Sequence, residues 1–227
     1  MDNGADIVGI GDLSMIESIS RKNMPYGICV AVAIPTEVIE GISKAPTVDY
    51  FNTYHKLNEK LDFLVTKGAE FLIDYGYEAY AQTKAVVSNN QTEYDTLLPH
   101  KTVATRAGIG WIGKCALLVT NDYGSAVRIS TILTNAPLKI DSPVDKSFCN
   151  DCITCVKACP AKAIKGVNWN VDIHREIILD PIKCRYTARE ISKKSIEKDI
   201  TLCGKCIYIC PYTQKYLKRE KRLINNE

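Results

Sequence analysis

The sequence predicts an α+β chain, with an α/β domain over residues 1–140 and a smaller cysteine-rich module over 141–227. Three observations predict it. The run Ile28 to Ile34 (Ile-Cys-Val-Ala-Val-Ala-Ile) is continuously apolar and closed by Pro35, the pattern of a strand buried on both faces. From Val48 to Tyr75, Leu57, Leu61, Leu64, Val65, Phe71 and Leu72 recur at the period of an amphipathic helix, with Gly76 as its stop. Eight of the ten cysteines fall at or after Cys149.

The remaining elements follow in order. Tyr77 to Val87 reads as a strand, and Thr102 to Ala107 as a short helix ended by the glycines behind it. Leu117 to Thr120 and Val127 to Leu133 read as two strands joined through Asn121-Asp122-Tyr123-Gly124, a hairpin-like turn signal. Pro137 to Lys146 is a polar, proline-containing linker into the cysteine module.

Between Cys149 and Pro160 the chain reads Cys-x2-Cys-x2-Cys-x3-Cys-Pro, and Cys203-x2-Cys206-x3-Cys210-Pro211 repeats the latter part of it. These are thiolate spacings of paired [4Fe–4S] clusters, in which the fourth cysteine of each run crosses to the other cluster. One cluster is therefore expected on Cys149, Cys152, Cys155 and Cys210. The other takes Cys203, Cys206, the crossing Cys159 and one further thiolate, for which Cys184 in Asp-Pro-Ile-Lys-Cys is the candidate. Two closed zinc sites of four thiolates each are the alternative metal reading. Cys29, inside the apolar run, reads as a buried unreactive residue, and Cys115 as packing.

Composition bounds the rest. No stretch of 18 or more apolar residues is present, so no membrane span is expected. The absence of a signal-peptide pattern leads to the expectation of a reducing, cytoplasmic setting without disulfides. The formal charge of +3 omits the clusters; each oxidised cubane with its thiolates carries about −2, leaving about −1 and no global argument for nucleic acid. Lys215, Lys218, Arg219, Lys221 and Arg222 form a local basic run that reads as a solvated helix end. About 65 to 80 residues from Cys149 onward make too small a core to fold securely without metal.

The segment Arg106-Ala-Gly-Ile-Gly-Trp-Ile-Gly-Lys114 carries glycines at 108, 110 and 113 beside the flat surface of Trp111. Its Gly-x-Gly-x-x-Gly spacing follows a short helix rather than a strand, which argues against a dinucleotide site. This segment, Tyr123-Gly-Ser125, Tyr54-His55-Lys56-Leu57 and the cysteine module with its separated Cys184 together resemble the cobalamin-dependent epoxyqueuosine reductases of queuosine biosynthesis. More remotely they resemble the reductive dehalogenases.

The resemblance implies a nitroreductase-like N-terminal domain holding base-off cobalamin and substrate, followed by a two-[4Fe–4S] ferredoxin-like module. Electrons would pass from cluster to cluster to cobalt while an acid protonates the departing group. It places corrin contacts at Leu118, Ile129, Tyr186, Thr187 and Gly204 and further cofactor contacts at Gly110 and Trp111, with Gly113, Lys114 and Ser125 available to the cobalamin tail. Candidate proton donors are Asp95, which stands near but not in register with the family's Asp-Ser-Ala-Pro element, and His100, which titrates near neutrality and otherwise reads as a surface or capping residue. The implied partners are a low-potential donor such as ferredoxin or flavodoxin and a small-molecule substrate. A transfer RNA is the lesser expectation, because the family's RNA-gripping repeats have no counterpart before Glu227. An electron-transfer protein without its own substrate is the alternative reading.

Overall fold

The computed structural model describes residues 4–87 and 96–224. Strand β1 (Ile7–Asp12), absent from the sequence reading, precedes β2 (Tyr26–Ala33), the strand expected from the apolar run. After the short helix α1 (Thr36–Gly41), α2 runs over Val48–Asp74 and is stopped at Gly76, whose φ is +86°. The Tyr54-His55-Lys56-Leu57 element lies inside this helix.

The expected strand Tyr77 to Val87 divides into β3 (Ala79–Gln82) and a helical turn, α3 (Lys84–Val87), whose first N–H is capped by the Asp62 carboxylate at 2.9 Å. Helix α4 (His100–Arg106) begins two residues earlier than expected, because Pro99 supplies extended backbone before its first turn. Strands β4 (Trp111–Ile112), β5 (Leu118–Val119) and β6 (Val127–Thr134) follow.

Four strands form one sheet in the order β1-β2-β6-β3, with β1 antiparallel to β2 and β3 antiparallel to β6; β4 and β5 form a separate antiparallel pair. The hairpin expected between β5 and β6 is therefore not made. The local turn is real, since Thr120 and Gly124 bridge, but β5 pairs backwards with Trp111 and Ile112 while β6 enters the larger sheet.

Two compact units emerge, each built from more than one stretch of the chain. Residues within 1–32, 56–110 and 128–145 make the first, and those within 33–55, 111–127 and 146–227 the second. In the first, α2 buries Leu57, Leu61, Leu64, Val65 and Leu72, whereas Phe71 is exposed and stacks on Tyr75. The 137–145 stretch forms no regular element but is pinned: the Asp141 carboxylate accepts the Ile10 N–H at 2.9 Å and Val144 N–H donates to Thr105 O at 2.9 Å.

The second unit contains α5 (Thr154–Ala158), α6 (Arg175–Ile178), α7 (Pro181–Ile196), α8 (Lys205–Tyr208) and α9 (Pro211–Ile224). Segment 33–55 is tied into it by Lys205 Nζ donating to Ser43 O at 2.6 Å and by a Lys221–Glu40 ion pair at 2.5 Å. Two of the five basic residues on α9 are thus ion-paired, Lys221 to Glu40 and Arg219 to Asp122 and Glu220. Among the described residues, no helix is long and apolar enough to cross a membrane.

Candidate functional site

Helix boundaries place the cysteines. Cys155 lies within α5 and Cys159 is its C-cap, where the following Pro160 forbids continuation. Asp180 caps α7 by accepting the Lys183 N–H at 2.9 Å, with Pro181 in the first turn, so Cys184 stands where the helix begins. Gly204, at φ +76°, turns the chain between Cys203 and Cys206; a Cβ there would meet Ile42 Cδ1. Cys210 precedes Pro211, the first residue of α9, and the thiol receives the N–H groups of Tyr212 and Thr213.

These elements bring the eight cysteines around two cavities. The first, of about 120 Å³, is lined by Cys149, Cys152, Cys155, Cys206 and Cys210; the second, of about 50 Å³, by Cys159, Cys184, Cys203 and Cys206. Four cysteines belong to the first cavity alone and three to the second alone, so Cys206 completes two sets of four. Cys159 sits with the downstream set and Cys210 with the upstream one, as crossing requires.

The electrostatics follow the same division. Burial pushes the Cys210 thiol up, partly offset by the two N–H groups, with Cys149 as its charged neighbour; burial and then Cys159 and Cys203 push Cys184 up. Burial likewise raises Cys203, against the Lys205 N–H. Grouped thiols of this kind ionise readily only against metal, so binding would release protons.

The donor set fits two [4Fe–4S] clusters: two sets of four thiols, N–H groups aimed at sulfur, including Ala163 N–H to Cys159 Sγ at 3.4 Å, and a buried hydroxyl at Cys210. Among the described residues no group of three or more His, Cys, Asp or Glu is arranged around a single ion.

The glycine segment serves the same cavities. Gly108, at φ +65°, ends α4, while Gly113 lets β4 pass close to Val119 and to the sulfurs of Cys115 and Cys149. The turn from Gly113 to Leu117 is closed by hydrogen bonds Gly113 N to Leu117 O and Ala116 N to Gly113 O, both 2.8 Å, with Ala116 held at φ +60°. It delivers Lys114, buried, whose Nζ donates to Asn150 O at 2.6 Å inside the first cysteine run. Ser125 is also buried. Its N–H donates to Thr213 Oγ1 at 3.1 Å, and its hydroxyl makes no well-formed hydrogen bond but stands close enough to Cys210 to favour that thiolate.

The residues the resemblance gave to cobalamin therefore divide. Lys114 and Ser125 are engaged at the cysteines, Gly113 and Thr187 line the cavities, and Gly204 packs on Ile42. Gly110 and Leu118 are buried, Ile129 is half-buried in β6, and Tyr186 is exposed. Trp111 is buried between the rings of Phe148 and Tyr212, and among the described residues its Nε1–H has no acceptor, which leaves one donor for a further group.

Of the candidate acids, Asp95 lies outside the described residues. His100 does not titrate near neutrality: burial, then the Arg128 charge, lowers its pKa to about 4 against the opposing Asp62, and its Nδ1 lies 2.9 Å from Thr131 Oγ1. Its ring is neutral at pH 7, about one part in a thousand protonated, and a poor proton store there. Cys29 is fully buried, and burial pushes its thiol far up, in keeping with an inert residue. Cys115, read from sequence as packing, lies against both cavities. Its only sequence signal was adjacency to Lys114.

Residues 148–213 match the 4Fe-4S double cluster binding domain. The chain is 30% identical over 200 residues to an epoxyqueuosine reductase of Listeria monocytogenes, covering 82% of this chain and 48% of that protein. This chain is a relative of the epoxyqueuosine reductases. It spans less than half the length of the curated relatives it matches first.

In fold it is similar to an epoxyqueuosine reductase solved with a tRNA-Tyr epoxyqueuosine-modified stem loop, at TM-score 0.61 and 20% identity, covering 94% of this chain and 63% of that one. It is also similar to a catabolic reductive dehalogenase solved with 3-bromo-4-hydroxybenzoic acid, at TM-score 0.72 and 20% identity, covering 97% and 31% respectively.

Proposed function

We propose that the chain is an iron–sulfur oxidoreductase of the epoxyqueuosine reductase type. Cys149, Cys152, Cys155 and Cys210 hold one [4Fe–4S] cluster, and Cys159, Cys184, Cys203 and Cys206 hold the other. The observation that carries this is the division of eight thiols between two cavities with Cys159 and Cys210 exchanged.

A low-potential donor such as ferredoxin or flavodoxin supplies electrons singly, and the clusters pass them to a nitroreductase-like N-terminal part. A cobalamin bound there would supply the reductive chemistry, while the protein orients it and excludes competing reactions. Trp111 Nε1–H is the donor this chain keeps for it, and Asp95 is the proposed proton donor, His100 being neutral. The substrate is a small molecule or, as for the relatives, epoxyqueuosine in tRNA.

One observation favours a second reading, a relay without its own substrate: Lys114 and Ser125, the polar side chains assigned to a cobalamin tail, are both engaged at the cysteines. Hydroxocobalamin added to anaerobically prepared protein distinguishes the two. A base-off visible spectrum with about eight iron per chain supports the reductase, and turnover of epoxyqueuosine-containing tRNA then identifies the substrate. Full iron without corrinoid retention selects the relay, and zinc in place of iron ends both.

A further inference from the structure

The eight proposed ligands leave one thiol unaccounted for at the cavities. Cys115 is buried, 7% exposed, and it alone among the non-ligand cysteines lines both of them. Its thiol shares the lining of the first cavity with Cys155 and of both cavities with Cys206. Its place is not adjustable, because the Gly113–Leu117 turn that carries it is closed at both ends and Lys114 beside it is anchored to Asn150 O.

Each proposed ligand set already has four thiols without it, so a ninth is not required as a ligand. What Cys115 has and the ligating thiolates lack is a hydrogen. Once the neighbouring cysteines are thiolates, the acceptors within its reach are their sulfurs, and hydrogen bonds to cluster sulfur are a recognised lever on potential. The added electron makes a reduced cluster more negative, so a donor stabilises the reduced state and raises the potential.

We propose that Cys115 is a hydrogen-bond donor shared by the two clusters, acting through Cys155 on one and Cys206 on the other to raise the potential of both. It is a positioning residue. Rotation about its Cβ–Sγ bond directs the single hydrogen to either sulfur, so the two clusters are tuned by one side chain. No bond is made or broken in this role; each cluster gains one electron from the reductant, which is oxidised. The inference rests on the two-cluster reading.

The test compares anaerobic holo wild type, Cys115→Ala and Cys115→Ser by iron and sulfide content and by EPR-monitored redox titration. About eight iron are expected in all three. Both midpoint potentials fall in Cys115→Ala, and both fall by less in Cys115→Ser, whose hydroxyl still donates. Unchanged potentials, a shift confined to one cluster, or half the iron lost in Cys115→Ala, which would make it a ligand, each overturn the proposal. If Cys115→Ala fails to fold, Cys115→Ser decides alone, through displaced or unmoved potentials at full iron. A wild type short of eight iron would instead defeat the two-cluster reading.

Discussion

Lys114→Met isolates the anchor of the first cysteine run. Methionine keeps most of the buried stem and removes the ammonium, whose hydrogen bond to Asn150 O is 2.6 Å long. Asn150 sits at φ +44°, a left-handed conformation that a non-glycine residue adopts at a cost, between Cys149 and Cys152. A charge-assisted hydrogen bond contributes about 1.5–3 kcal/mol. The same carbonyl also accepts Asn168 Nδ2–H at 3.1 Å and is not orphaned when the lysine goes, which favours the lower end of that range. A loss of about 1.5–2 kcal/mol makes opening of this loop about 10- to 30-fold more frequent.

Iron release to a chelator without oxygen, followed by visible absorption, is expected to show about half the iron leaving 10- to 30-fold faster and the rest unchanged. Equal acceleration of all the iron, or none, would refute the anchoring argument. Unchanged iron release with weakened corrinoid binding would return Lys114 to the cobalamin tail.

Crossed ligation makes a second prediction: Cys159→Ser damages the cluster of Cys184, Cys203 and Cys206, and Cys210→Ser the cluster of Cys149, Cys152 and Cys155, each read from iron content and EPR. Loss of the sequence-adjacent cluster instead would contradict the exchange seen in the cavities. His100 gives a pH dependence. Its folded pKa of about 4 lies below the ordinary 6.5, so the unfolded chain takes up the proton first as pH falls, and stability present above pH 6.5 is lost on the way down. Between pH 6.5 and 5 the wild type should lose up to about 2 kcal/mol more than His100→Gln in urea unfolding, and parallel curves would show the imidazole is not held neutral.

The cysteine spacings, the buried strand and the long helix were legible in the sequence because each is a local pattern: thiols at fixed intervals, a run of apolar residues, a helical period ended by glycine. The crossing of Cys159 and Cys210 was likewise an expectation from spacing. Other features depend on partners far away in the chain. Leu118 and Val119 have the composition to continue into a hairpin with β6, and their pairing with Trp111 and Ile112 is set by the tight Gly113–Leu117 turn. His100 looks like a surface residue until burial beside Arg128 and Thr131 holds it neutral.

In one dimension Lys114 and Ser125 read as cobalamin-tail contacts and Cys115 as packing, and only in three do they come beside Asn150, Cys155, Cys206 and Cys210, from about 35 to 90 positions away. The sequence by itself determined which atoms are available to bind metal. Tertiary structure decided which buried donors and charges surround those sulfurs, because burial and hydrogen bonding depend on neighbours in space.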